Sequence, residues 1–221
     1  TDQHYICSHC GLDCPNCPGH FGHRELAEPM FHIGYMNYCK KVLQCIDLQY
    51  IKLLIPIDDK QFSNLKLITN NKKRFQEIHD IITSNVKRSP YSGLRVPKVT
   101  REISKKDGGT IQMSVEHPFD ESLQGEVVVK GKVKIIRQIL SQKDCLNILS
   151  NLSQEEKDFL GISNPEDMII KTFPVPPVAI RPTIRGGARH TITVEDTLTH
   201  KLADIIKIDN VLREHKNKEY M

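Results

Sequence analysis

Near the start of the chain, the stretch CSHCGLDCPNCPGHFGH (Cys7 to His23) packs four cysteines and three histidines into seventeen residues. Thiolate and imidazole are both good donors to a borderline-soft ion such as zinc, and four of them close a tetrahedron. Cys7-x2-Cys10 supplies two donors from one tight turn. The second pair is open on spacing alone. Cys14-x2-Cys17 would give an all-thiolate site but leaves only three residues between the pairs, which is cramped. Cys17-x2-His20 leaves six, with Pro18-Gly19 shaping the turn into the histidine. A run of thiolates ending in Cys-Pro could also hold an iron–sulfur cluster, but the x2-x3-x2 spacing departs from the ferredoxin pattern. Ordinary buried or surface cysteines would not crowd in this way. Zinc is the chemistry that the spacing indicates.

The rest of the composition bears on the same point. The other three of the seven cysteines, Cys39, Cys45 and Cys145, are scattered. A disulfide framework would spread its cysteines to staple distant loops, so the clustered four predict a metal in a reducing compartment. With 38% hydrophobic residues, 6% aromatic and no Trp, the 221 residues promise a modest core that leans on staples or partners. The net charge of +4 permits nucleic-acid contact without demanding it, and most of the lysines and arginines are expected in solvent. No apolar run approaches a membrane span and no signal peptide opens the chain, so an intracellular, soluble protein is expected. The chain starts at TDQHYIC without an initiator Met and stops at HKNKEYM in a helical stretch, which suggests a piece of something longer.

The elements around the knot read as follows. After Cys17 a turn is predicted at Pro29, then a helix burying Phe31, Tyr35, Val42, Cys45 and Ile46 until Pro56 ends the run. NKKRFQEIHDIITSNVK predicts a second helix with Phe75, Ile78, Ile82 and Val86 on one face and Lys72, Lys73 and Arg74 in solvent. Pro90, Gly93, Pro97 and an Asp107-Gly108-Gly109 turn then signal β-rich structure with a hairpin, continued by GEVVVKGKVKII. Helices resume with Ser141 as N-cap, Asp144 three residues on, and a capping box of Ser153 and Glu156 closed by Gly161. FPVPPVAIRP is a rigid extended crossing, since its prolines forbid a helix. A Gly-Gly loop with Arg185, Arg189 and His190 follows, with no acid until Glu195. A terminal helix with an apolar face of Leu198, Leu202, Ile205, Ile206 and Leu212 completes the chain.

Three of these segments carry a resemblance. CPGHFGHRELAEPMFHIGY (Cys17 to Tyr35) resembles the N-terminal zinc motif of the largest subunit of eukaryotic-type multisubunit DNA-directed RNA polymerases. FPVPPVAIRPTI (Phe173 to Ile184) and EDTLTHKLADII (Glu195 to Ile206) resemble that subunit's proline-rich crossing and the helix after it, in family order. The likeness covers roughly residues 1–50 and 165–215 and is weak between them. It implies the ligand pattern C-x2-C-x6-C-x2-H, hence one structural zinc on Cys7, Cys10, Cys17 and His20, with Cys14 a non-ligand and His23 packing beside the site. The family's second zinc site begins with a C-x2-C where this chain has Asp47 and Tyr50, and no cysteine lies between Cys45 and Cys145. The resemblance therefore implies a divergent polymerase that lacks the second zinc, as in a large DNA virus or another fast-evolving lineage.

Carried over, the resemblance implies an α+β fold: a zinc-stapled, helix-rich clamp core with a small β-containing clamp-head segment, within a much larger subunit. The implied segments are 1–90 (zinc and helices), 91–138 (β-rich clamp head) and 139–221 (clamp core with the crossing, a lid-like loop and the terminal helix). The clamp closes over the cleft on template DNA and nascent RNA. Its partners would be the other polymerase subunits, especially the second-largest, and transcription factors docking on the clamp, with no membrane. The nucleotidyl-transfer site, with its Mg2+ on clustered carboxylates, would lie downstream, so this piece carries no catalytic residue; Asp58–Asp59 reads as a solvated turn. Arg185, Arg189 and His190 would meet nucleic-acid phosphate in the lid-like loop. The setting would be the nucleus or, for a virus, the virion or host cytoplasm. The rival reading is a free-standing zinc-dependent nucleic-acid-binding or adaptor module.

Overall fold

The computed structural model describes residues 6–13, 15–58, 62–104, 110–119, 125–130, 133–186 and 192–219. These form a mixed α/β structure with ten strands and six α-helices among the described residues. The chain divides into two compact units: Thr1–Pro29 together with Lys171–Met221, and Met30–Ile170. None of the described helices is long and apolar enough to cross a membrane.

The Met30–Ile170 unit holds the main core. Helix α1 (Met36–Leu43) buries Met36, Cys39, Val42 and Leu43, residues three or four apart that share one face of a helix. Helix α3 (Asn71–Asn85) starts where the Asn70 side chain accepts the Lys73 N–H at 3.0 Å, and it buries Phe75, Ile78 and Ile82 as its periodicity predicts. Between them lie a short hairpin of β2 (Ile46–Asp47) and β3 (Lys52–Leu53) and the single-turn α2 (Ser63–Lys66). Strands β4 (Lys98–Ser104), β5 (Thr110–Pro118), β6 (Glu126–Lys130) and β7 (Val133–Leu140) form an antiparallel sheet in the order β4-β5-β7-β6. β4 and β5 pair from Lys98↔Glu116 to Ser104↔Thr110, as the hairpin reading requires; the turn at Asp107–Gly109 lies outside the described residues. Val99, Met113, Val115 and Leu140 carry the sheet into the core.

Helices α4 (Gln142–Ser150) and α5 (Gln154–Leu160) open with full capping boxes, Ser141 with Asp144 and Ser153 with Glu156, and Gly161 ends α5 at φ 72°. All three features were readable from the sequence. Buried Glu156 does more than cap: its other oxygen accepts the Leu53 N–H at 2.8 Å and so ties α5 to β3. Cys39, Cys45 and Cys145 are buried core thiols. Burial pushes Cys39 and Cys45 up to about 12, and Cys145 is also raised.

Two readings need correction in this unit. Arg74 is not in solvent: its guanidinium donates to the carbonyls of Phe159 (2.8 Å), Asp158 (2.9 Å) and Ile68 (2.9 Å), and to Asn71 Oδ1 (3.0 Å). A cation placed on the last carbonyls of α5 satisfies groups that the helix itself cannot. The first helix is also shorter than its apolar pattern suggests. Tyr35 is 53% exposed, and the run past Leu43 becomes β2 and β3. The Asp47 carboxylate accepts the N–H groups of Gln49 (2.9 Å) and Tyr50 (3.1 Å), making a side-chain-held turn that competes with helix.

Strands β1 (Gly22–Phe31) and β8 (Ile169–Val175), most of whose residues belong to the other unit, form a two-stranded sheet. The turn expected at Pro29 is absent, because β1 runs through it. A strand with one partner has a free edge, where a residue without an N–H costs no ladder bond. The proline crossing is extended as expected until Pro177, then makes one 3-10 turn at Val178–Ile180. β9 (Ile184–Gly186) and β10 (Ile192–Val194) pair antiparallel, and α6 (Thr197–Glu219) follows. The apolar face expected on α6 is not covered: Leu202 is buried, but Leu198, Ile206 and Leu212 are exposed. A helical period shows which residues share a face, not whether anything lies against it.

Polar contacts dominate α6 instead. Asp209, 4% exposed, accepts from the Ala27 N–H (2.6 Å) and from Arg24 (2.8 Å) and Arg213 (3.0 Å). Lys216 adds a pair with Glu28 at 2.6 Å. Burial alone would raise the Asp209 carboxyl, but the Ala27 N–H and the two guanidiniums outweigh it and hold it down at about 2.

Candidate metal centre

The knot is built by its backbone. Cys7 N–H donates to the Leu12 carbonyl and Gly11 N–H to the Cys7 carbonyl, both at 2.8 Å, and Ile6 bridges Asp13. Gly11 sits at φ 72°, so the chain turns back at once and delivers Cys7 and Cys10 together. Asp13 then accepts the Cys17 N–H at 2.9 Å on its carbonyl and the Asn16 amide at 2.7 Å on its side chain, which starts the second turn.

The four donor atoms of Cys7, Cys10, Cys17 and His20 lie within 4.8 Å of one another. Cys10 Sγ and Cys17 Sγ are 3.6 Å apart, as are Cys17 Sγ and His20 Nε2. A tetrahedral zinc with Zn–S of ~2.3 Å and Zn–N of ~2.05 Å needs donor–donor edges of about 3.8 and 3.6 Å. The donors present therefore fit one four-coordinate ion, and this Cys3His cluster could hold a metal. Backbone N–H groups of Cys10 and His9 favour the Cys7 thiolate and bring its pKa down to about 7. The Cys17 thiol is raised: the Gly19 N–H lowers it, but burial and the neighbouring Cys10 and Cys7 sulfurs outweigh that. Thiolates crowded this closely are costly until a cation sits among them. The His9 and His20 rings are in tilted contact, centroids 4.3 Å apart, while His23 is exposed on β1. Cys14 lies outside the described residues.

The proline crossing backs the knot. Gly19 has φ 82°, and a Cβ there would come within 2.8 Å of the Pro177 Cβ. A groove of about 600 Å3 runs between the knot and Val175–Thr183, with Cys7 and Cys17 among its lining residues. Arg181 anchors the crossing by donating to the Pro176 carbonyl (3.1 Å) and Thr199 Oγ1 (3.2 Å). Sequence reasoning picked out both segments but not their contact. The unusual Pro18-Gly19 beside a donor was the one available signal.

Of the residues expected to meet nucleic acid, Arg185 stands in β9 opposite Thr193 of β10. Arg189 and His190 lie outside the described residues.

Comparison with known proteins adds the following. The whole chain, residues 1–221, matches the family described as RNA polymerase Rpb1, domain 1. It is 38% identical over 224 residues to the DNA-directed RNA polymerase subunit 1 of Acanthamoeba polyphaga mimivirus, covering 98% of this chain and 15% of that protein. It is 33% identical over 223 residues to the DNA-directed RNA polymerase II subunit RPB1 of Euplotoides octocarinatus, covering 95% of this chain and 43% of that protein. The chain thus spans less than half the length of either relative.

Proposed function

Because this chain belongs to the RNA polymerase Rpb1 domain 1 family, and is thereby part of a DNA-directed RNA polymerase largest subunit, we propose that it serves as the clamp. Within the assembled enzyme the clamp swings over the cleft and holds template DNA and nascent RNA while nucleotides are joined elsewhere in the subunit. The segments 1–90, 91–138 and 139–221 supply the zinc-bearing base, the clamp head, and the core with its lid-like loop. The partners are the second-largest and other subunits, and factors that dock on the clamp; the setting is the nucleus or a viral compartment.

The observation that carries this reading is the Cys3His cluster at tetrahedral spacing inside a match that spans the whole chain. Cys7, Cys10, Cys17 and His20 hold one Zn2+, which is structural. Four protein donors close its coordination sphere, so it keeps no open position for a substrate. What the ion supplies is rigidity. Arg185, Arg189 and His190 face nucleic-acid phosphates in the assembled enzyme.

The test uses the full subunit in its holoenzyme, with Arg185→Ala and Arg189→Ala together. Each lost phosphate contact should lower the salt slope of complex lifetime by about one unit, uniformly across sequences. An unchanged lifetime and slope would reduce the loop to a connector. Failure of a zinc-free Cys17→Ser subunit to join the holoenzyme, with the wild type joining, would support the structural role of the ion.

A further inference from the structure

Gly19 is bracketed in sequence by two of the four donors, Cys17 and His20, whose Sγ and Nε2 are 3.6 Å apart. It sits at φ 82°, which favours glycine, and a Cβ there would come within 2.8 Å of the Pro177 Cβ and 3.2 Å of its Cγ. Gly22 opens β1 against Val175, the last residue of β8; a Cβ on it would lie 3.8 Å from that of Val175. Knot and crossing therefore leave the same end of one two-stranded sheet, with the Pro177 ring resting on the turn between two metal donors.

The far end of the crossing is held differently. Pro176 and Pro177 have no N–H to donate, so this stretch cannot be tied down by ladder bonds of its own. The Pro177 carbonyl accepts the Ile180 N–H (3.0 Å) and the Val178 carbonyl the Arg181 N–H (3.1 Å). The Arg181 guanidinium then reaches back to the Pro176 carbonyl and forward to Thr199 Oγ1, in the first turn of α6. Thr183 donates its hydroxyl to Glu195 at 2.8 Å. The pairs Arg181–Thr199 and Thr183–Glu195 thus join the two chain ends that enter and leave the β9–β10 hairpin. Farther along, α6 has a separate anchor, Asp209 with Arg24, Ala27 and Arg213.

We infer that metal occupancy of the knot is coupled, through Gly19, Pro177 and Arg181, to the base of the β9–β10 hairpin and the start of α6. The inference rests on the zinc reading above. With Cys17 and His20 on one ion, Gly19 is a fixed surface for the proline ring. Without the ion, the backbone bonds of Asn16 and Cys17 to the Asp13 carbonyl hold the turn only ahead of Gly19, and a freed glycine regains more backbone freedom than any other residue. Linkage runs both ways: losing the ion loosens the crossing, and loosening the crossing weakens the hold on the ion.

The experiment uses the 221-residue chain with and without zinc. Chelation should strip hydrogen-exchange protection from the amides of Ile180, Arg181, Thr199 and His200 and leave that of Ala27, which Asp209 holds, in place. In the other direction, zinc affinity by competition with a coloured chelator should fall about tenfold in Pro177→Gly and about fivefold in Arg181→Met, at the low end of measured couplings between sites. Neither variant removes a metal donor, and Arg181→Met keeps the proline ring should Pro177→Gly fail to fold. Arg213→Met, a cation removed from the other anchor of α6, should leave zinc affinity unchanged. The inference is overturned if Arg181→Met holds zinc as tightly as the unaltered chain, if Arg213→Met matches its loss, or if chelation spares the amides at 180–181 and 199–200. A chain that takes up no zinc at all would overturn the metal reading and this inference with it.

Discussion

Residues 6–20 and the Met30–Ile170 unit solve the same problem with different means. Among the described residues of the knot not one side chain is buried, and Ile6 and Leu12 are exposed. The larger unit buries a continuous cluster from Met36 to Ile169 in which Cys39, Val42, Ile78, Met113 and Leu160 are almost fully covered. Apolar burial is roughly proportional to area and needs many residues to accumulate. Fifteen residues cannot supply it, but the four donors of Cys7, Cys10, Cys17 and His20 are gathered where they could hold an ion. A cysteine accordingly means opposite things in the two regions. In the knot Cys7 is brought down to about 7, near the pH at which it must lose its proton; in the core Cys39 is pushed up to about 12 and stays a neutral apolar group.

The largest effect should come from removing the ion. Metal analysis of the purified chain should give one equivalent of zinc, and chelation should abolish hydrogen-exchange protection in residues 6–20 while leaving α1, α3 and β5 protected. Structural zinc in small peptides contributes apparent free energies of about 10–16 kcal/mol at neutral pH, so no local hydrogen bond can substitute for it. His20→Ala and Cys17→Ser should reproduce the chelated state. Protection lost equally across both regions would break the comparison, and two equivalents of zinc would mean that a second site exists.

How far these regions were legible follows from the same contrast. The spacing of Cys7, Cys10, Cys17 and His20, the capping boxes at Ser141 and Ser153 and the Gly161 cap are local, since donors and acceptors a few residues apart in sequence are bound to be close in space. Features that the sequence did not show were mostly tertiary. Arg74 caps a helix that begins eighty residues later, Glu156 reaches β3 in addition to its expected capping role, and α6 shows an apolar period whose covering is not encoded in the period. The turn at Asp47 lies between these cases. An Asp with a turn two or three residues on is a local signal, but it was outweighed by an apolar run that looked helical. There the Asp47 carboxylate accepts two backbone N–H groups and makes the turn.

Asp209 gives the next largest expected effect and sharpens the comparison within the knot's own unit. Asp209→Ala would leave the Ala27 N–H, Arg24 and Arg213 without their shared acceptor. The two guanidiniums are partly solvated, so the loss should be about 2 kcal/mol rather than that of a fully buried pair. The folded carboxyl titrates at about 2, below its unfolded value of ~3.9. Its stabilisation is therefore complete above pH ~4 and lost as pH falls through about 2. Asp209→Asn should flatten that part of the acid-unfolding profile of β1 and α6, followed by hydrogen exchange. An acid profile identical to wild type would show that another carboxylate controls it.

In the core unit the contact of α5 with α3 should respond at about 1–2 kcal/mol. Arg74→Ala strips the last carbonyls of α5 of their donors, and Gly161→Ala places a Cβ at φ 72° and 2.8 Å from the Asn71 Cβ. Each should lower the urea midpoint of α3 and α5 and leave zinc stoichiometry at one. A change in zinc content from either would mean that the two regions do not fold as separate problems.

The smallest effect is expected from Cys14→Ser, and it discriminates most finely. The all-thiolate alternative makes Cys14 a ligand and His20 a bystander. Yet Cys7, Cys10, Cys17 and His20 already lie within 4.8 Å of one another, and the Cys10–Cys17 and Cys17–His20 edges of 3.6 Å suit a single tetrahedral ion. A tetrahedron has four corners, and a fifth donor could join only by displacing one of these. Zinc affinity of Cys14→Ser, measured by competition with a coloured chelator, should stay within about twofold of wild type, whereas loss of a true ligand costs orders of magnitude. A large loss in Cys14→Ser together with an unaffected His20→Ala would exchange the two residues in the site. The closing turn of the knot would then end at Cys17 rather than at His20.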